Sequence, residues 1–157
     1  GTEISGARVF VESSDGTGPL PYQDSVSITR SATTATVTHT AHGFETNQYV
    51  VIRGANEEGY NKVAQITVTG ANTYTYAVDG GLATPATGSP VSSGVLVYGL
   101  TDVNGEVSDS RTLSTNQPVK GWVRKSTSSP LYKTALINGT VSSANGATFT
   151  ATMISDE

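Results

Sequence analysis

Apolar and polar residues alternate with period two along most of this chain, and no stretch carries the i, i+3, i+4 stripe of a helix. Ala7, Val9 and Val11 alternate with Arg8, Phe10 and Glu12, which predicts a first strand. Val26 with Ile28, then Ala35, Val37, His39 and Ala41, predict two more. Further strands are expected at Tyr49 to Arg53, Val63 to Thr69, Tyr74 to Val78, Val95 to Tyr98, Val107 to Leu113, Val119 to Lys125, Leu131 to Ile137 and Ala147 to Ile154. In the last, Phe149, Ala151 and Met153 alternate with Thr148, Thr150 and Thr152. Strands this short, with turn residues every 8–12 positions or so, suggest sandwiches or small barrels. No repeat of fixed period points to a propeller or solenoid.

Two Ser-, Gly- and Pro-rich stretches interrupt the pattern, one over residues 13–24 and one over residues 80–94. They bracket a compact set of strands. Asn104-Gly105 is a strong hairpin signal.

Composition supports an all-β reading. The 157 residues include 17 glycines, and only 14% are charged, so Thr and Ser must cover much of the surface. Net charge is −4 and the nine basic residues are scattered, which disfavours nucleic acid as a partner. No run approaches the roughly 18 apolar residues of a membrane helix, so no membrane partner is expected. No signal peptide is read, and Gly1 suggests a removed initiator Met or a piece of a longer chain. Cysteine is absent, which excludes disulfides, thiol nucleophiles and thiolate metal sites and leans towards a reducing compartment.

Two sets of residues look familiar. Ala35-Thr-Val-Thr-His39-Thr-Ala-His42-Gly43-Phe44, Val50-Val-Ile-Arg-Gly54-Ala55, Gly59-Tyr60-Asn61 and Asn72-Thr-Tyr-Thr-Tyr76 together resemble a small β module recurrent in phage tail and other virion proteins. Such modules are often named after a half-domain of ubiquitin-activating enzymes, but without a cysteine or a nucleotide site no ubiquitin chemistry follows. The flanking Ile4-Ser-Gly6-Ala7-Arg-Val9 and Gly99-Leu-Thr101-Asp102-Val-Asn104-Gly105-Glu106-Val107 resemble the carboxypeptidase-regulatory or transthyretin-like sandwich, with the small module between its first strand and its T-D-x-x-G turn. The tail, from Gln117-Pro118-Val119 to Tyr132-Lys133, is similar to the ends of phage structural proteins. The resemblance implies an Ig-like, prealbumin-like sandwich of residues 1–24 and 90–157 with a small β-barrel of residues 25–89 inserted in an exposed loop, where insertions are tolerated, and a stalk, fibre or decoration role without catalytic residues.

Candidate chemistry is sparse. His39 and His42 stand three apart, and in an extended strand such residues face opposite ways, so they are not expected to share a metal. Asp102, Asn104 and Glu106 lack the full calcium-loop pattern, and Asp102 is expected to bind turn amides while Gly105 takes positive φ. Adjacent Glu57 and Glu58 diverge on an extended chain and form no hydrolytic pair. Asn138-Gly139-Thr140 reads as a turn, and no nucleophile elbow or phosphate loop is present. Catalytic residues, cofactors and metals are therefore expected to be absent.

The surface singled out is the strand Val119 to Lys125. With Val119, Gly121 and Val123 inward, Trp122 is displayed between Lys120 and Arg124, a pairing typical of interface anchors. The bland alternative covers Trp122 with the neighbouring domain or the sandwich edge. Phe10, out of phase with Val9 and Val11, belongs to the same question. Small β domains bury only about 60% of their unfolded surface and expose strand edges, so homo-oligomerisation is expected. The resulting expectation is a bacteriophage virion protein (capsid decoration, head fibre or tail-associated), made in the host cytoplasm and packed against other virion proteins. The rival is a bacterial adhesin or pilus-type Ig-like module that binds a protein or glycan.

Overall fold

A computed structural model describes residues 2–156. The fold is all-β: among the described residues there are eleven strands, and a single 3-10 turn at Glu58–Tyr60 is the only helical element. The chain divides into two compact units, Leu20–Val95 and a discontinuous unit of Gly1–Pro19 with Leu96–Glu157. The first of these units extends a few residues beyond each end of the 25–89 span that the resemblance implied.

The discontinuous unit is built on an antiparallel sheet ordered β11 (Tyr132–Val141), β10 (Gln117–Lys125), β1 (Arg8–Ser13) and the last part of β9 (Gly88–Leu100). β1 runs against β10 from Arg8 opposite Arg124 to Ser13 opposite Val119. The front of the chain is further tied to the back through Thr101. Its amide donates to the Ala7 carbonyl at 2.9 Å, and its hydroxyl accepts from the Ala7 amide at 3.0 Å while donating to the Ile4 carbonyl at 2.6 Å.

One face of this sheet carries Val9, Val11, Val119, Val123 and Ile137, all buried. Opposite that face lie two segments, residues 101–116 and 142–156, within which strands were expected at Val107 to Leu113 and at Ala147 to Ile154. Val107 to Leu113 and Ala147 to Met153 carry strand-like alternation but form no strand. Alternation reports which side chains face the interior, whereas a strand also needs a neighbouring backbone. Between the sheet and these segments lies an open cavity of about 840 Å³, lined by Val9, Val11, Leu96, Ile137, Phe149 and Met153 among others.

The Leu20–Val95 unit has two sheets. One holds β2 (Asp24–Ser25), the first part of β9, β5 (Tyr49–Ala55) and β6 (Val63–Gln65). The other is ordered β3 (Ser27–Ser31), β4 (Thr34–Thr38), β8 (Thr73–Ala77) and β7 (Thr67–Gly70). The chain passes from one sheet to the other twice, at Val26 between β2 and β3 and at Ile66 between β6 and β7. What the sequence suggested as a barrel is therefore a pair of sheets joined at bent corners. The core between them includes Ile28, Val37, Val50, Ile52, Tyr60, Ile66, Tyr74 and Tyr76.

Residues 88–94 depart from expectation, because they begin β9 and do not extend the loop. Ser92, Ser93 and Gly94 are buried there. A Cβ on Gly94 would lie 3.0 Å from the Leu20 Cβ and 3.3 Å from the Phe44 ring, so small residues are selected by packing. Asn138-Gly139-Thr140 likewise stands inside β11 and forms no turn.

Candidate functional site

The surface predicted around Trp122 is set by the register of β1 and β10. Arg8, Phe10 and Glu12 point to the side away from Val9 and Val11, and their partners on β10 are Arg124, Trp122 and Lys120. Phe10 stacks on Trp122 with ring centroids 5.5 Å apart, and Tyr98 meets Phe10 edge-on at 6.4 Å. The Arg124 guanidinium lies 4.8 Å from the Trp122 ring and that of Arg8 lies 4.6 Å from Tyr98, both cation–π distances. Trp122 is half-buried and Arg124 exposed.

Phe10 requires a correction. At 4% exposure it is not a contact residue, because Trp122 and Tyr98 close over it, and it serves as the support on which Trp122 rests. Lys120 is partly exposed beside Trp122, with its ammonium 3.8 Å from the buried Glu12 carboxylate. Leu136, the β11 partner of Trp122, was not singled out in the sequence and is 83% exposed. Its apolar identity at an outward phase of β11 was the available signal. The arrangement is a rigid aromatic platform flanked by guanidinium groups, suited to burial against another surface.

The two histidines of the other unit come together, contrary to the strand argument. β4 ends at Thr38, and positive φ at Ala41 and Gly43 folds the chain so that the rings sit 5.9 Å apart. Every ring nitrogen already has a partner. The Phe44 amide donates to His42 Nδ1 at 2.9 Å, so Nε2 carries the proton and donates to the Gly70 carbonyl at 3.0 Å. His39 Nε2 faces Asp24 at 3.2 Å and its Nδ1 faces the Tyr74 hydroxyl at 3.3 Å, which in turn meets Ser92 at 2.8 Å.

Since a carboxylate only accepts, the protons run from Ser92 to Tyr74 to His39 to Asp24. The order is reminiscent of a catalytic relay, but Ser92 and Tyr74 are fully buried. Among the described residues no cluster of His, Asp or Glu is arranged to hold a metal. Burial pushes the Tyr74 and Tyr76 phenols up, so both stay protonated.

Burial also lowers His39 below its ordinary 6.5, against the opposing pull of the Asp24 hydrogen bond and charge, with the nearby His42 adding to the lowering. The unfolded chain therefore takes up this proton at higher pH than the folded one, and stability falls as pH drops through the window below 6.5. Thermal unfolding followed by circular dichroism is expected to show a lower midpoint near pH 5 than near pH 7, and His39→Gln should flatten that difference.

The other motif residues of this unit are also structural. Asn61 exchanges two hydrogen bonds with the Ala55 backbone, at 3.0 and 2.8 Å. Asn72 accepts from the Ala41 amide at 2.7 Å, and the Tyr60 hydroxyl donates to Ala83 at 2.7 Å. Glu57 accepts from the Thr87 amide and hydroxyl, which holds its carboxyl below the usual range, while Glu58 turns to Asn61. Asp102 behaves as expected: one oxygen accepts the Asn104 and Glu106 amides, and Gly105 has φ +74°.

Among the described residues no helix is long and apolar enough to cross a membrane. Compared with family models, curated proteins and solved structures, the chain matches none.

Proposed function

We propose that this chain is a non-enzymatic bacteriophage virion protein, a capsid decoration, head-fibre or tail-associated component that acts by packing against other subunits. The motif residues that suggest the phage module are occupied in holding turns and core together, which leaves surface contact as the means of action. The observation that carries the reading is where the exposed large hydrophobics lie. Leu100, Val103, Leu136 and Ile154 all belong to the discontinuous unit, and among the described residues the Leu20–Val95 unit exposes none. Apolar side chains gathered in one unit, with Trp122 and Arg124 beside Leu136, mark a surface that is covered in the working state.

Mass spectrometry of purified particles of the encoding phage is the test. The chain should be present at the copy number of a structural protein. Trp122→Ala combined with Leu136→Asp should leave the circular dichroism spectrum intact and weaken attachment by about 30-fold or more, as loss of a hot spot does. Absence from particles, together with binding of a host glycan or protein by the isolated chain, would favour the adhesin reading.

A further inference from the structure

The segment Ala147 to Met153 poses an unsolved physical problem. Phe149, Ala151 and Met153 are half-buried while Thr148, Thr150 and Thr152 are exposed, which is the side-chain pattern of a strand. Phe149 packs onto β11 where Gly139 lacks a side chain, with its ring 2.5 Å from the place a Cβ would take. Yet among the described residues no backbone hydrogen bond joins residues 147–153 to any other segment. A row of free amides and carbonyls at an accessible edge is a template for strand addition.

We infer that the missing strand is the same segment of a second copy, paired antiparallel about a two-fold axis at Thr150. The sequence is matched to itself in that register. Phe149 falls opposite the partner's Ala151, and Met153 opposite the partner's Ala147. On the other face Thr148 meets the partner's Thr152, and Thr150 meets its own counterpart. Large against small on the apolar face fills space without overlap, and Thr–Thr pairs favour adjacent strands. The other segment outside the sheets, Val107 to Leu113, is tied within its own chain, with Arg111 joined to Asp109 at 2.6 Å and donating to the Leu96 carbonyl at 3.2 Å. This pairing deepens the assembly reading and rests on it only in taking the occupant to be a subunit.

The absence of cysteine makes the test clean, since any disulfide reports only an introduced residue. At the axis, Thr150→Cys places two sulfurs on the directly opposed residues of a hydrogen-bonded pair, about 5.5 Å apart at Cα and within disulfide range. Thr152→Cys places them about 14 Å apart, outside it. Both threonines are exposed, so neither change disturbs the single chain. The full chain is expected to sediment as a dimer or an even multiple. Mild oxidation should yield covalent dimer with Thr150→Cys roughly tenfold in excess of Thr152→Cys. Thr150→Pro should give monomer with an unchanged circular dichroism spectrum, since it removes a donor used only between copies.

A monomeric parent chain, or equal cross-linking of the two variants, overturns the inference. Presence in particles without the Thr150 cross-link would remove the inference and leave the assembly reading, and the converse result would do the reverse.

Discussion

Gly121→Ala is expected to destabilise the discontinuous unit by about 3 kcal/mol, a large share of the stability of a small domain. Two effects compete. Replacing glycine by alanine restricts the unfolded chain and by itself favours the fold by about 0.4–1 kcal/mol. Against that, a Cβ at Gly121 would fall on the carbonyl oxygen of Phe10, with the Phe10 carbonyl carbon and the Val11 Cα each 2.9 Å away. All three are backbone atoms of the neighbouring strand, so relief requires β1 and β10 to separate along the pairing that joins the front of the chain to the back. The steric cost is the larger and sets the sign. Gly16, around whose Cβ position nothing stands within 4 Å, is the control, and Gly16→Ala should be neutral or slightly stabilising. Urea denaturation of both variants measures the difference.

The second large effect is expected at Tyr74. Its side chain is fully buried, with ring centroids 5.2 Å from His42, 5.7 Å from Phe44 and 6.0 Å from His39. Tyr74→Ala should cost about 4 kcal/mol, combining lost transfer energy, a cavity, and the orphaning of His39 Nδ1 and the Ser92 hydroxyl. Tyr74→Phe keeps the ring and removes only the hydroxyl, so it should cost about 1–2 kcal/mol. A phenylalanine variant as damaging as the alanine one would mean that the hydrogen-bond chain from Ser92 to Asp24, and not ring packing, holds this core. Guanidinium unfolding of the two variants decides between them.

Much of the fold was legible because alternation and turn chemistry agree along most strands. The phase of Val9, Val11, Val119 and Val123 fixed the inner face of β1 and β10, and with it the outward placement of Trp122 and Arg124. Composition misled at residues 88–94, where Ser and Gly signal a loop to a reader of sequence but here answer the close approach of Leu20 and Phe44. Periodicity misled in the other direction at Val107 to Leu113 and Ala147 to Ile154, since it registers a buried side and is silent about backbone partners.

The histidines show a third failure. Spacing of three was read along a straight strand, but the bend at Ala41 and Gly43 brings the rings together. The candidate surface was half legible. Trp122 and Arg124 stand where phase put them, whereas the burial of Phe10 depends on Tyr98, which lies far from it in sequence.

Hydrogen exchange followed residue by residue tests most directly that residues 4–13 and the last two-fifths of the chain form one unit. Amides of Val9 and Val11 are predicted to be protected together with those of Val119 and Val123, and to lose protection together in Gly121→Ala. Exchange of Val9 and Val11 in step with Ile28, Val37 and Tyr74, and independently of Val119 and Val123, would contradict it.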